Sequence, residues 1–322
     1  MTVDEQQAIQ NVIDIDDVEE VVDDVEEDPN EKDEVMDDNQ SDDKSDSDLV
    51  ESFDAMDAIS GFEHGAPVFA TSAFSNIVAS GGGDDRAYIW DANSGQLIKE
   101  FAGHGDSVAS LAFSFDGKYV ASGGMDGIAH VYHLDSEKVI SLQGPSEIMW
   151  VKWHPRGSIL LAGGEDGTIW MWSLPSGNCM QVFTGHNEAV TCGDFSPDGK
   201  SIISASEDVS LIIWNPQTGA AVFKFNALDT RFHQAPVTCL SLSNDNQMAI
   251  TGAQDGSIKL LHLSQKKIIA SFDSHTDSIE GLCFSSSLNF AVSGSVDGKI
   301  CIWDLKSTSL RNSIQTEVYT FF

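Results

Sequence analysis

The amino-acid sequence predicts an all-β body built from six copies of one repeat, preceded by a disordered acidic tail. Three observations lead there. A short pattern recurs six times at an interval of roughly 40 residues. Around the copies, β-rich runs alternate with Gly, Asp and Ser turns, and helical periodicity is nearly absent. Charge is also divided unevenly along the chain: of 51 acidic and 17 basic residues in 322, residues 1–60 hold 24 acidic residues against Lys32 and Lys44.

The tail spans residues 1–56. Its run DDVEEVVDDVEEDPNEKDEVMDDNQSDDKSDSD offers too little apolar surface to offset the entropy of ordering it. Val18, Val21, Val22 and Val25 have helical spacing, which would suit a transient helix on a basic partner. Ser45, with Asp48 three residues on, resembles an acidophilic kinase site. A solvating, self-repelling arm and a partner-binding arm both fit this composition.

The net charge of −34 excludes some function classes. Direct binding to nucleic acid is disfavoured, because that affinity rests on Lys and Arg displacing counterions. A basic protein or peptide partner is favoured. Cys179, Cys192, Cys239, Cys283 and Cys301 are odd in number and lack metal-type spacing. VTCGDF, VTCLSL and EGLCFS suggest that Cys192, Cys239 and Cys283 share one interior strand position, so small buried thiols are expected. No basic-then-apolar leader opens the chain, and His64–Gly83, though free of charged side chains, is too rich in Ser, Gly and Asn for a membrane helix. The expectation is a cytoplasmic monomer, with the nucleus as the other open compartment, using no cofactor and no metal.

The repeats begin near Asp57 and run to residue 315, leaving 316–322 as a short tail. Six segments align: SGGGDDRAYIWD (80–91), SGGMDGIAHVYH (122–133), AGGEDGTIWMWS (162–173), SASEDVSLIIWN (204–215), TGAQDGSIKLLH (251–262) and SGSVDGKICIWD (293–304). Their Asp residues are Asp84, Asp126, Asp166, Asp208, Asp255 and Asp297, and six residues beyond stand Trp90, Tyr132, Trp172, Trp214, Leu261 and Trp303. His104, His186, His233 and His275 each lie 22 residues before the Asp of their copy, and His64 lies 20 before Asp84. Gly144–Pro145 fills that slot in the third copy.

The fourth copy shows how one repeat folds. AVTCGDFS (189–196) alternates as an inner strand and PDGK (197–200) is a tight turn. SIISAS, SLIIW and AVFKF (221–225) follow as the second, third and outer strands, with Glu207–Asp208 at the middle turn.

These copies are similar to WD repeats, and the resemblance implies a β-propeller whose four-stranded blades cover one another's faces in a ring. It covers residues 57–315. It also implies a buried hydrogen-bond chain through His186, Ser204, Asp208 and Trp214. The equivalent sets are His104, Ser122, Asp126 with Tyr132; His275, Ser293, Asp297 with Trp303; and His64, Ser80, Asp84 with Trp90. In His233, Thr251 and Asp255 the chain should end early at Leu261, and the third copy keeps only Asp166 and Trp172. Recurring His, Ser and Asp invite a hydrolase reading. One active site needs one copy, however, and a buried polar set recurs because each blade must satisfy it. No catalytic residue is therefore expected.

Partner contact is expected from acidic residues at one rim: Asp106, Glu147, Glu188 and Asp277, two residues after the His slot, and Glu165 and Glu207, just before the repeat Asp. An acidic residue after the His slot can instead serve its own turn. Trp150, Trp153 and Trp170 are extra aromatics, suited to the core or to anchoring a partner.

The acidic tail, SNIVASGGGDDRAYIWDANSG and GPSEIMWVKWHPRGSILLAGGEDGTIWMW together resemble the angio-associated migratory cell protein family. The relatives this implies include a fungal propeller that chaperones a nascent, strongly basic ribosomal protein of the large subunit. The implied function is a non-enzymatic scaffold that chaperones or docks such a partner in ribosome assembly. Migration-related adaptor roles and heparin binding are associated with animal members, but no basic cluster here suits heparin. A ubiquitin-ligase receptor would want Trp-Asp-x-Arg where Trp303-Asp304-Leu305-Lys306 ends in Lys, which lacks the planar fork of Arg. Relatives of this family run to seven or eight blades, whereas this chain ends in QTEVYTFF after its sixth copy, and Asp57–Phe62 reads as a lone outer strand. Six copies and a lone strand fit either a six-bladed ring with a spare strand or an incomplete ring, as in a C-terminally truncated isoform or a partial gene model, and the second is the favoured expectation.

Overall fold

A repeat of this length cannot bury both faces of its own sheet, and the structure shows how neighbours supply the cover. The computed structural model describes residues 64–285 and 289–316. Among these residues there are 24 strands and no helix, arranged as six four-stranded antiparallel sheets, or blades, each formed by consecutive strands. Blade 1 holds β1 (Val68–Phe74), β2 (Ile77–Gly82), β3 (Arg86–Asp91) and β4 (Leu97–Ala102). Blade 2 holds β5 (Val108–Phe113), β6 (Tyr119–Gly124), β7 (Ile128–His133) and β8 (Val139–Gln143). Blade 3 holds β9 (Ile148–Trp153), β10 (Ile159–Gly164), β11 (Thr168–Ser173) and β12 (Asn178–Thr184). Blade 4 holds β13 (Cys192–Phe195), β14 (Ile202–Ser206), β15 (Ser210–Trp214) and β16 (Ala221–Asn226). Blade 5 holds β17 (Val237–Leu242), β18 (Met248–Ala253), β19 (Ile258–His262) and β20 (Lys267–Phe272). Blade 6 holds β21 (Ile279–Phe284), β22 (Phe290–Ser295), β23 (Lys299–Asp304) and β24 (Ser309–Gln315). The tail, its kinase-like Ser45, the strand expected at Asp57–Phe62 and the last residues of QTEVYTFF lie outside the described residues.

The innermost strands β1, β5, β9, β13, β17 and β21 stand side by side in sequence order, so each blade packs on the next. The second and third strands are buried on both faces, while the outer strands are largely exposed. Small residues permit the close approach. A Cβ at Gly123 of β6 would overlap Ile148 and Val151 of blade 3. Five apolar clusters lie between successive blades, such as Ala121, Ala129 and Val131 of blade 2 against Ile148, Leu160 and Trp172 of blade 3.

Blades 6 and 1 do not pack on each other in this way. Val292, Ile300 and Ile302 of blade 6 are half-buried, although their counterparts Ile250, Ile258 and Leu260 in blade 5 are fully buried. Val78 of blade 1 is half-buried where Val120, Leu160 and Ile202 are fully buried, and Phe69 of β1 is exposed. Among the described residues these two faces are less covered than those between the other blades.

Candidate functional site

Blade 4 shows how the repeated polar residues are used. The loop before β13 brings His186 across the turn between β14 and β15, with Nδ1 3.3 Å from Asp208 Oδ1 and Nε2 2.8 Å from Ser204 Oγ. Trp214 of β15 donates its Nε1–H to the same Ser204 oxygen at 2.8 Å. A carboxylate only accepts, so His186 gives its Nδ1–H to Asp208 and takes the Ser204 hydroxyl proton on Nε2. Burial by itself would push the Asp208 carboxyl up. Hydrogen bonds from His186, Ser210 and the Asn187 N–H outweigh it and hold Asp208 well below the usual carboxylate range. Lys224 adds an ion pair to Asp208 at 3.1 Å.

Blade 6 repeats the arrangement, with His275 Nε2 2.7 Å from Ser293, Nδ1 3.1 Å from Asp297 and Trp303 Nε1 2.8 Å from Ser293. In blade 1, His64 and Trp90 both reach Ser80, at 2.7 and 2.6 Å, but His64 Nδ1 stands 3.6 Å from Asp84, whose other contact is the Tyr88 hydroxyl at 2.8 Å. In blade 2, His104 reaches Ser122 at 2.7 Å and Asp126 at 3.2 Å, while Ser122 lies 3.5 Å from the Tyr132 hydroxyl. In blade 5, His233 meets Thr251 at 2.8 Å, but its Nδ1 meets Ser257 at 2.8 Å, and Asp255 is held by the Ser257 N–H instead. His233 is fully buried, which pushes its imidazole down to about 4, with the Lys259 charge adding to the effect.

Blade 3 has no such chain, because Pro145 and Ala162 stand in the His and Ser positions. Asp166 accepts from the backbone N–H of Thr168 at 2.9 Å and from its hydroxyl at 2.6 Å. Trp172 sits in the apolar cluster between blades 2 and 3.

The six acidic residues expected at the rim divide into two kinds. Asp106 and Asp277 accept from the N–H of the next residue, at 2.7 and 2.8 Å, and so brace their own loops. Glu147, Glu165, Glu188 and Glu207 make no ion pair and no side-chain hydrogen bond among the described residues. These four gather on two neighbouring blades. The Glu165 N–H donates to the Glu147 carbonyl at 3.0 Å, the Val190 N–H of blade 4 donates to Gly164 of blade 3 at 3.0 Å, and Ser206 donates to the Glu188 carbonyl at 3.0 Å. The backbone thus sets these four acidic residues on adjoining turns of blades 3 and 4. One position needs correcting: the loop of the third copy is a residue shorter, so Glu147 pairs with Glu165 as Ser107 pairs with Met125, one place beyond the Asp106 position.

Trp150 and Trp153 are buried, donating to the carbonyls of Val190 and Ala112 at 2.9 Å each, and Trp170 is partly buried against the blade 2–3 cluster. Cys179 and Cys283 are exposed, contrary to the expected burial. Cys283 is not the counterpart of Cys192 and Cys239, which oppose Ala205 and Gly252; that place opposite Gly294 is held by Gly281, and Cys283 pairs instead with Val292 on the face of blade 6 turned away from blade 5. Burial pushes the Cys192 thiol up to about 12. Strand pairing brings His130 of β7 beside His104 and Asp126, a juxtaposition that spacing along the chain does not show. Its signal in the sequence was an imidazole two residues before the Tyr132 slot, where other copies carry Tyr88, Trp170, Ile212, Lys259 and Cys301. No helix among the described residues is long and apolar enough to cross a membrane.

Six sequential four-stranded blades with a His–Ser–Asp–Trp chain recurring between their turns define a WD-repeat β-propeller. The family model "WD domain, G-beta repeat" matches residues 95–133, 136–173, 177–215, 227–261 and 266–304. The chain belongs to this family. It is 34% identical to human angio-associated migratory cell protein, over 78% of this chain and 62% of that one. It is 26% identical to the ribosome assembly protein SQT1 of Saccharomyces cerevisiae, over 91% of this chain and 75% of that one. Among solved structures it is similar to Chaetomium thermophilum Sqt1, with a TM-score of 0.73, 29% identity and coverage of 80% and 75% of the two chains. A second structure of that protein, bound to the N-terminus of the ribosomal protein L10, matches with a TM-score of 0.72, 29% identity and coverage of 80% and 77%. The chain spans 62% of the length of the human relative.

Proposed function

We propose that this protein is a non-enzymatic scaffold that holds a basic segment of a large-subunit ribosomal protein during ribosome assembly in the cytoplasm. The observation that carries this reading is the patch of Glu147, Glu165, Glu188 and Glu207, four carboxylates without a charged partner among the described residues. A Lys/Arg-rich peptide would supply the missing cations. The Sqt1 structure bound to the N-terminus of ribosomal protein L10 supports a ribosomal ligand. The acidic tail would add long-range attraction and speed capture. The His–Ser–Asp sets serve blade structure in this reading, since each is buried and repeated. An adaptor role in signalling or migration is the second reading, favoured by the higher identity to angio-associated migratory cell protein.

The test is a tagged pull-down from cytosol at low and moderate salt, using the full chain and a form with all four glutamates changed to Gln. Capture of one basic ribosomal protein by the first and its loss from the second supports the proposal. Recovery of signalling or ligase proteins, with no ribosomal protein, overturns it in favour of the adaptor.

A further inference from the structure

We propose that blade 2 carries a transition-metal site in which His104, Asp126 and His130 are the protein ligands and Zn2+ is the ion that suits them. Two imidazoles and a carboxylate are a donor set that Zn2+ accepts while keeping a fourth position open. Among the described residues this is the one group of three whose ligand atoms converge, all within 4.8 Å of one another. Bond lengths of about 2.0–2.2 Å require ligand atoms to stand within about 4.2 Å of one another, so a small turn of the rings closes the site. His104 and His130 already meet edge to face, with ring centroids 4.4 Å apart.

The second observation is His130 itself. It is 6% exposed, and its Nε2 is buried without a hydrogen bond. The Gly103 backbone approaches the ring without meeting hydrogen-bond geometry. A buried ring nitrogen left in this state has lost its water without gaining a partner. A metal ion would remove that deficit.

Each prospective ligand is also held from behind, as metal ligands generally are. His130 Nδ1 meets Ser141 Oγ at 2.9 Å, His104 Nε2 meets Ser122 Oγ at 2.7 Å, and Asp126 Oδ2 accepts from the Gly105 N–H at 2.8 Å.

Blades 4 and 6 carry Ile212 and Cys301 where blade 2 has His130, and Tyr132 gives blade 2 a second feature that they lack. Without metal, His104 Nδ1–H points at Asp126. To bind an ion through Nδ1, the ring must carry its single proton on Nε2 and donate it to Ser122. The Ser122 hydroxyl must then donate elsewhere, and the Tyr132 oxygen at 3.5 Å can accept it. Trp214 and Trp303 offer only an N–H at that place, so Ser204 and Ser293 have no such outlet. The imidazole gains and loses no net proton in the exchange.

The test titrates Co2+, a coloured substitute for Zn2+, into the full chain and into His130→Gln and Ser141→Ala variants, with Zn2+ added afterwards as competitor. Carboxylates of the tail bind Co2+ through oxygen alone and give only weak octahedral absorption, so the signal is the stronger band of a low-coordinate nitrogen site. One equivalent of that band in the wild type, displaced by Zn2+, lost in His130→Gln and shifted to about 10–100-fold weaker binding in Ser141→Ala, supports the proposal. Absence of the band from the wild type overturns it, as does an unchanged band in His130→Gln. If His130→Gln does not fold, Ser141→Ala decides, and unchanged affinity there overturns the site.

Discussion

Trp150 of blade 3 donates its Nε1–H to the carbonyl of Val190 in blade 4 at 2.9 Å. Its ring is clasped between Gly163 and Gly193, where any Cβ would overlap it. The join between these blades, which carries the anionic patch, therefore depends on glycine at both places. Gly193→Ala would press on the Trp150 ring and approach the Ile203 carbonyl at 3.2 Å. The expected loss is about 1–3 kcal/mol, read as a lower urea midpoint with an unchanged slope.

The buried chains should differ in worth according to their last member. Trp214→Phe removes a donor at 2.8 Å from a fully buried Ser204, and should cost about 1–3 kcal/mol. Tyr132→Phe removes a contact at 3.5 Å and should cost less than about 1 kcal/mol. Paired denaturant titrations check the order. Equal losses would mean that the ring packing, and not the hydrogen bond, sets the effect.

His233 predicts a particular pH dependence. Its folded pKa near 4 lies below the ordinary value of 6.5, so the unfolded chain binds the proton more tightly. Its neutral form is fully compatible with folding above pH 6.5, and stability falls as pH drops from there towards 4. The difference corresponds to about 3 kcal/mol. Asp208, Asp126 and Asp297 are depressed instead, so their contribution is lost only at more acid pH, below the ordinary carboxylate value of 3.8. His104 and His130 act in the same direction as His233. His233→Gln should therefore flatten part of the loss between pH 6.5 and 4, as measured by thermal unfolding across that range.

Changing Glu147, Glu165, Glu188 and Glu207 together to Gln should weaken binding of a Lys/Arg-rich peptide by at least about tenfold at low salt. The gap should narrow as salt rises, because exposed charges are screened over about 8–10 Å. Folding stability should stay the same or rise slightly, since these carboxylates have no cation to lose. Fluorescence anisotropy and thermal unfolding of the same variant provide both readouts.

The thiols should divide by exposure. Cys179 and Cys283 should react with a thiol reagent in the native protein, whereas Cys239 and Cys301 should react only on unfolding. A native count above three would show that blade 5 or blade 6 opens locally.

Blade 4 shows how much was legible beforehand. Its second, third and outer strands fall where the alternation put them, because turn residues bracket each run. The inner strand pairs only from Cys192, as residues 189–191 run as a loop that places His186. What the letters concealed was register. A one-residue deletion moved Glu147, and a two-residue offset set Cys283 apart from Cys192 and Cys239, beside Val292. His130 was hidden for another reason: its partners come from a preceding loop and a turn, and only folding brings them to one point. Even the chain's own repetition misled in blade 5, where Ser257 stands between His233 and Asp255.

Every blade is made of four consecutive strands, so each pairing closes only a short hairpin. Local connectivity of this kind lowers the entropy of folding and lets the chain fold in order as it emerges from the ribosome. At each stage the newest blade presents one apolar face, which the following blade then covers. The half-buried Val292, Ile300 and Ile302 are that face on the last described blade. An unfinished array would thus keep two apolar faces open, a fixed one on blade 1 and a moving one on the newest blade, and each added blade would renew only the second.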